Sequence, residues 1–181
     1  MKNILVITGS PRKNGNSTLM ANAFIEGAKM AGNETMLFEA GKMKINGCIA
    51  CDTCFTKGMA CSFNDDFNKL VPMLENADII VFCTPLYWFT FPAQLKSVID
   101  KLYSFNRGKK ELKIRESILM VCAETNDIND FKGIIKTYKL ILNYKGWKNR
   151  EILTIPNVNK IGEIQETDAL KKANNIGLEI I

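Results

Sequence analysis

Apolar runs of strand length alternate along the chain with segments whose apolar residues recur at helical spacing. "KNILVIT" (2–8) is short, rich in β-branched residues and apolar at every inner position, as a strand buried on both faces of a parallel sheet requires. After a polar loop, Met20, Phe24, Gly27, Ala28 and Ala31 fall on one face of a helix predicted over 16–31, which Gly32 closes. "ETMLFEA" (34–40) predicts a second strand and "DIIVFCT" (78–84) a third. Between them a helix opens at Asp65-Asp66, and Pro72 predicts a kink or a restart within it. A Pro92-started helix (91–103), a strand "SILMVCA" (117–123), a helix over 129–145 stopped by Gly146, a strand "REILTIP" (150–156) and a helix over 167–180 complete the chain.

This β-α alternation predicts an α/β fold. Right-handed crossovers place helices on both faces of a doubly wound, five-stranded parallel sheet of order 2-1-3-4-5. Ligands then bind outside the carboxyl ends of the strands. No linker or repeat interrupts the pattern, so a single domain over 1–181 is expected.

Composition narrows the partners. The apolar share is 46% and the charged share 24%, ordinary for a globular domain. The net charge of +5 is mild, and its densest stretch, "RGKKELKIRE" (107–116), reads as a solvated turn, so no nucleic-acid partner is expected. No stretch approaches a membrane span, and the apolar run of "MKNILVITGS" is too short for a signal-peptide core, so a cytoplasmic location without membrane attachment is expected. The chain has no histidine, which removes Ser-His and Cys-His nucleophiles and His-bearing zinc sites. Chemistry is therefore expected from a bound cofactor.

Two strand-end loops carry candidate chemistry. "TGSPRKNGNSTLM" (8–20) leaves the first strand and opens directly onto a helix, where free backbone N–H groups and the helix dipole make an anion site. Ser10, Asn16, Ser17 and Thr18 add side-chain donors, and Arg12 adds a fixed charge with fork geometry. The loop lacks the glycines of a dinucleotide fingerprint and the Gly-Lys-Ser/Thr of a Walker loop, which suits one terminal phosphate. "CTPLYWFTFPAQL" (83–95) leaves the third strand with Tyr87, Trp88, Phe89 and Phe91 together, a wall on which a planar ring system can stack. Phosphate at the first loop and a ring at the third describe a phosphorylated flavin.

The third feature is "NGCIACDTCFTKGMACSF" (46–63). Cys48, Cys51, Cys54 and Cys61 make a C-x2-C-x2-C-x6-C array. Soft thiolates at these steps can wrap an iron–sulfur cluster, whereas structural zinc more often uses two separated C-x2-C pairs. Redox-active thiols and zinc stay open on spacing alone. Cys83 and Cys122 sit inside apolar strands and read as small core residues.

"GSPRKNGNST", "GCIACDTCFTKGMACSFNDDF" and "TPLYWFTFPAQLKSVIDK" together resemble the signature segments of the NADPH-dependent FMN reductase family, of flavodoxin-like fold. The middle segment is most similar to the iron–sulfur flavoprotein branch. The resemblance implies FMN, with its phosphate at Ser10, Arg12, Asn16, Ser17 and Thr18. Its isoalloxazine would be bordered by Pro85, Leu86, Tyr87, Trp88 and Phe89, with Ala123 and Glu124 approaching the far side. It implies a [4Fe–4S] cluster on Cys48, Cys51, Cys54 and Cys61. It also implies electrons from NAD(P)H or an electron-donor protein, and a homo-oligomer, dimer or tetramer. Two rival readings are a flavodoxin-like electron carrier and a thiol or metal redox sensor. Steady NADPH oxidation separates the first from an enzyme, and a colourless protein that binds no FMN would indicate the second.

Overall fold

A computed structural model of the chain describes residues 1–181. Its strands are β1 (Asn3–Thr8), β2 (Glu34–Glu39), β3 (Ile79–Pro85), β4 (Glu116–Cys122) and β5 (Lys148–Ile155). They form one parallel sheet in the order β2-β1-β3-β4-β5, as the alternation predicts. The helices are α1 (Asn16–Met30), α2 (Phe67–Asn76), α3 (Ala93–Lys101), α4 (Tyr103–Arg107), α5 (Lys132–Lys145) and α6 (Ala169–Leu178).

The period of two along each strand divides the core into two layers. Leu5, Ile7, Ile80, Phe82, Leu119 and Val121 turn toward the side covered by α2, α3 and α5. Ile4, Val6, Ile79, Val81, Ile118 and Met120 turn toward α1 and α6. The central strands β1, β3 and β4 are buried on both faces, which is why their sequences are apolar without alternation. On the second side, α1 and α6 touch backbone to backbone. A Cβ on Gly27 would run into the Asn174 carbonyl, and one on Gly177 into that of Phe24. Gly27 therefore lies on the apolar face of α1 because nothing larger fits there.

Two expected features differ. α2 is one continuous helix with Pro72 inside it, not a restarted pair. Pro72 lies on the exposed face, so water can satisfy the Asn68 carbonyl that it leaves without a partner. The helix predicted over 91–103 is instead two pieces, α3 and α4, meeting at Leu102. No helix is long and apolar enough to cross a membrane.

Candidate functional site

The largest cavity, about 510 Å³, opens at the carboxyl ends of β1, β3, β4 and β5. One end is built by the loop after β1. Gly9 follows the strand so closely beside β3 that a Cβ would meet Thr84 Oγ1 at 2.5 Å. Ser10 is buried, and its Oγ accepts the Arg12 N–H at 3.2 Å, folding the loop back on itself. In the first turn of α1 the N–H groups of Asn16 and Ser17 have no helical acceptor. The Ser17 hydroxyl is buried without any hydrogen-bond partner. Ser10, Arg12, Asn16 and Ser17 all line the cavity. An orphan hydroxyl, free N–H groups at a helix start and a guanidinium at the mouth make an anion cradle.

Thr18 is the exception among the predicted phosphate residues. It is buried one step further along α1, its N–H is taken by the Gly15 carbonyl at 2.9 Å, and it does not line the cavity. Asn16 lines the cavity, but its side chain is engaged elsewhere. Its Nδ2 donates to the Lys160 carbonyl at 3.0 Å, and its Oδ1 accepts the N–H of Gly162 at 3.0 Å.

The aromatic wall stands on a tight turn. Tyr87 and Thr90 exchange backbone hydrogen bonds at 3.1 and 3.0 Å, and Trp88 and Phe89 between them have φ of 44° and 63°. Two consecutive left-handed residues are the signature of a type I′ turn, ordinarily the place of Asn-Gly. The turn is anchored by the Leu86 N–H donating to the Cys122 carbonyl at 2.9 Å. Pro85, Leu86, Tyr87, Trp88 and Phe89 line the cavity, and Trp88 is 92% exposed.

Ala123 and Glu124 line the cavity from the β4 side. The structure adds residues the sequence reading missed: Cys122, Thr125 and Asp130 from the β4 side, Val158 and Asn159 from the loop after β5. The Thr125 hydroxyl donates to Asp130 Oδ2 at 2.6 Å and accepts the Asp127 N–H, which holds the Asp130 carboxylate at the cavity. Position outside a strand's carboxyl end is the available signal for the β5 loop. Cys122 is buried, which pushes its thiol up to about 12, so it stays protonated and inert.

The cysteine stretch lies between β2 and α2. Ala50, Asp52 and Phe55 have positive φ, which curls the backbone around a small cavity of about 20 Å³. Cys48, Cys51, Cys54 and Cys61 all line it. The loop is fastened on three sides. Asp65 Oδ2 accepts the Asn46 N–H at 2.9 Å, and Asn68 bridges the backbone of Cys61 and Phe63. Tyr103 donates to Asp52 at 2.7 Å, while Phe55 packs edge-on to Phe105. The exposed Cys51 thiol is drawn below its ordinary value by hydrogen bonds from Thr53. Burial and then the neighbouring thiols push Cys54 up.

The donor set suits a soft metal centre, and the four thiols face one cavity. Yet no three of the chain's Cys, Asp and Glu side chains stand close enough together to hold a metal ion, and the cavity is too small for a cubane. Spacing brings the cysteines to one cavity without gathering them into a ligand set.

Comparison with known proteins bears on both cavities. The model of the NADPH-dependent FMN reductase family matches residues 2–126. An iron-sulfur flavoprotein of Archaeoglobus fulgidus is 34% identical over 99 residues, which are 55% of this chain and 44% of that protein. An iron-sulfur flavoprotein of Methanosarcina thermophila is 33% identical over 59% of this chain and 56% of that protein. The matched stretch thus spans about half the length of these relatives. The structure of an NAD(P)H:quinone oxidoreductase from Methanothermobacter marburgensis superimposes with a TM-score of 0.77 at 16% identity, covering 99% of both chains, a likeness of fold. With the family model spanning more than half of its residues, the chain belongs to the NADPH-dependent FMN reductase family.

Proposed function

We propose that this protein is an FMN-dependent oxidoreductase. It would take reducing equivalents from a nicotinamide nucleotide or an electron-donor protein and pass them to a separate acceptor. The observation that carries this is the two-ended cavity: an anion cradle at Ser10, Arg12 and Ser17, and an aromatic turn at Tyr87, Trp88 and Phe89. A phosphate attached to a planar ring system matches both ends at once.

Bound there, FMN would supply hydride acceptance and one-electron exchange. The chain's own residues bind and orient. The Arg12 guanidinium and the Ser17 hydroxyl would hold the phosphate, with Leu86 to Phe89 and Ala123 and Glu124 bordering the ring. No ionisable side chain among them is suited to nucleophilic attack, in keeping with redox work by the cofactor.

Cys48, Cys51, Cys54 and Cys61 are proposed to hold a [4Fe–4S] cluster, which would supply one-electron transfer. The C-x2-C-x2-C-x6-C spacing and the iron–sulfur flavoprotein relatives support this. The second reading, a redox-active thiol, is favoured by the exposed, acidified Cys51.

The test is protein prepared without oxygen and reconstituted with iron, sulfide and FMN. One FMN and near four irons per chain, with NADPH-dependent reduction of an added quinone, are the expected results. A colourless protein that binds riboflavin and FMN equally weakly would overturn the flavin reading. Zinc in place of iron, or no retained metal, would return the cysteines to thiol chemistry.

A further inference from the structure

The main cavity carries a carboxylate that nothing in the fold neutralises. Asp130 lines the cavity and is half-buried, yet it makes no ion pair. Its Oδ2 accepts the Thr125 hydroxyl at 2.6 Å, and its Oδ1 accepts no hydrogen bond from the protein. Arg12 is the one cation among the lining residues, and it belongs to the anion cradle.

The fold fixes where this carboxylate stands. Beyond β4 the chain goes on pairing with the chain beyond β5. The Ala123 N–H donates to the Ile155 carbonyl at 2.9 Å, the Val158 N–H to the Ala123 carbonyl at 2.9 Å, and the Asn157 N–H to the Thr125 carbonyl at 2.8 Å. Thr125 is therefore a rigid mount for the hydroxyl that holds Asp130. The Asp130 N–H donates to the Asp127 carbonyl at 3.2 Å, which closes a turn behind the carboxylate. Three residues on, in the first turn of α5, Gly133 lies so near the aromatic turn that a Cβ would meet the Phe89 carbonyl at 2.6 Å. Asp130 thus belongs to the side of the cavity that Tyr87, Trp88 and Phe89 build. Keeping an unpaired, half-buried carboxylate beside an apolar wall costs free energy, which one hydroxyl offsets only in part.

We propose that Asp130 stands beside the ring of the bound flavin and lowers its two-electron reduction potential. This rests on the FMN reading above, which the cavity of about 510 Å³ and the orphaned Ser17 hydroxyl within it support. Reduction by a nicotinamide nucleotide or a donor protein adds two electrons and one proton to a neutral ring and leaves it with one negative charge. A fixed negative charge beside the ring opposes that gain and acts little on the neutral oxidised form. Electrons held less tightly can be passed to acceptors of lower potential.

The test uses FMN-loaded protein at pH 8, where the reduced ring is anionic: wild type, Asp130→Asn and Asp130→Glu. FMN is counted, and the midpoint is read by reductive titration against a dye of known potential. Asp130→Asn keeps the shape and an acceptor oxygen but removes the charge. At the wild-type midpoint its reduced-to-oxidised ratio should rise about three- to tenfold, tenfold being about 30 mV for a two-electron couple. By linkage, the ratio of its dissociation constants for reduced and oxidised FMN should fall by the same factor. Asp130→Glu keeps the charge and should stay within about twofold of wild type. An unchanged or lower midpoint in Asp130→Asn at full FMN overturns the inference alone. Equal rises in Asp130→Asn and Asp130→Glu do so too, since packing rather than charge would be the cause. Loss of FMN from Asp130→Asn with retention in Asp130→Glu also overturns it, because the carboxylate would then serve binding. A wild type that binds no FMN overturns the flavin reading itself, and this inference with it.

Discussion

Asn16 and Gly162 stand 146 residues apart in the chain, yet the Gly162 N–H donates to the Asn16 carboxamide oxygen at 3.0 Å. The same side chain donates to the Lys160 carbonyl at 3.0 Å. One amide thus ties the loop after β1 to the loop after β5, and the anion cradle keeps its shape through that tie. Asn16→Ala should lower stability by about 1 kcal/mol, the value of one partly buried hydrogen bond and a weaker exposed one. It should also weaken FMN and riboflavin together, because it loosens the cavity without removing a phosphate contact. Urea denaturation and flavin titration measure both; undiminished stability would show that the tie is decorative.

Arg12 should behave differently. Its guanidinium lines the cavity mouth, held only by a long contact to the Asn159 carbonyl at 3.4 Å, so it is free to turn to a phosphate. A charge-assisted hydrogen bond is worth about 1.5–3 kcal/mol. Arg12→Ala should therefore weaken FMN by roughly tenfold or more, with riboflavin hardly affected. Parallel losses for the two flavins would remove Arg12 from the phosphate site.

The aromatic turn predicts a conflict between stability and binding. Trp88 holds φ of 44° while 92% exposed, so it carries backbone strain and buries almost nothing in return. A left-handed non-glycine residue costs about 1 kcal/mol or more. Trp88→Gly should raise stability by about 1 kcal/mol while lowering flavin affinity and the quenching of bound-flavin fluorescence. A variant that is more stable and binds flavin as tightly would place the ring elsewhere.

Asp78 gives a pH-dependent prediction. Its carboxylate accepts the Asn3 N–H at 2.8 Å and pairs with Lys113 at 3.4 Å. The Asn3 hydrogen bond, more than offsetting burial, holds the carboxyl below the usual range, with Lys113 assisting. A depressed folded value means stability that is present above the unfolded value, about 3.9, and lost as pH falls through the folded one. Asp78→Asn keeps an acceptor and removes the charge. It should cost about 1 kcal/mol at pH 7, and its difference from wild type should shrink below about pH 4. Urea midpoints at pH 7, 5 and 3.5 check the sign; a difference that grows on acidification would contradict it.

By itself the sequence determined the sheet, its strand order and the two loops that build the main cavity. Those features follow from local pattern. Apolar runs such as "IIVF" (79–82) can only be buried on both sides, and crossover handedness then leaves one simple winding. Loops after β1 and β3 must meet because their strands are neighbours. Tertiary structure decided which groups within those loops are free. Thr18 turned out to be inside the helix, and Asn16 to be engaged with Lys160 and Gly162, because residues distant in the chain compete for the same polar atoms. Thr125, Asp130 and Asn159 joined the cavity through strand ends that carry no local motif. The cysteine spacing was legible as a ligand pattern, but Lys101 and Ser104 behind it were not. Helical periodicity shows which side of a segment is buried. It does not show that a lysine and an unpartnered serine on that side line the same small cavity as four thiols, because that depends on how the loop at 46–63 is folded against α3 and α4.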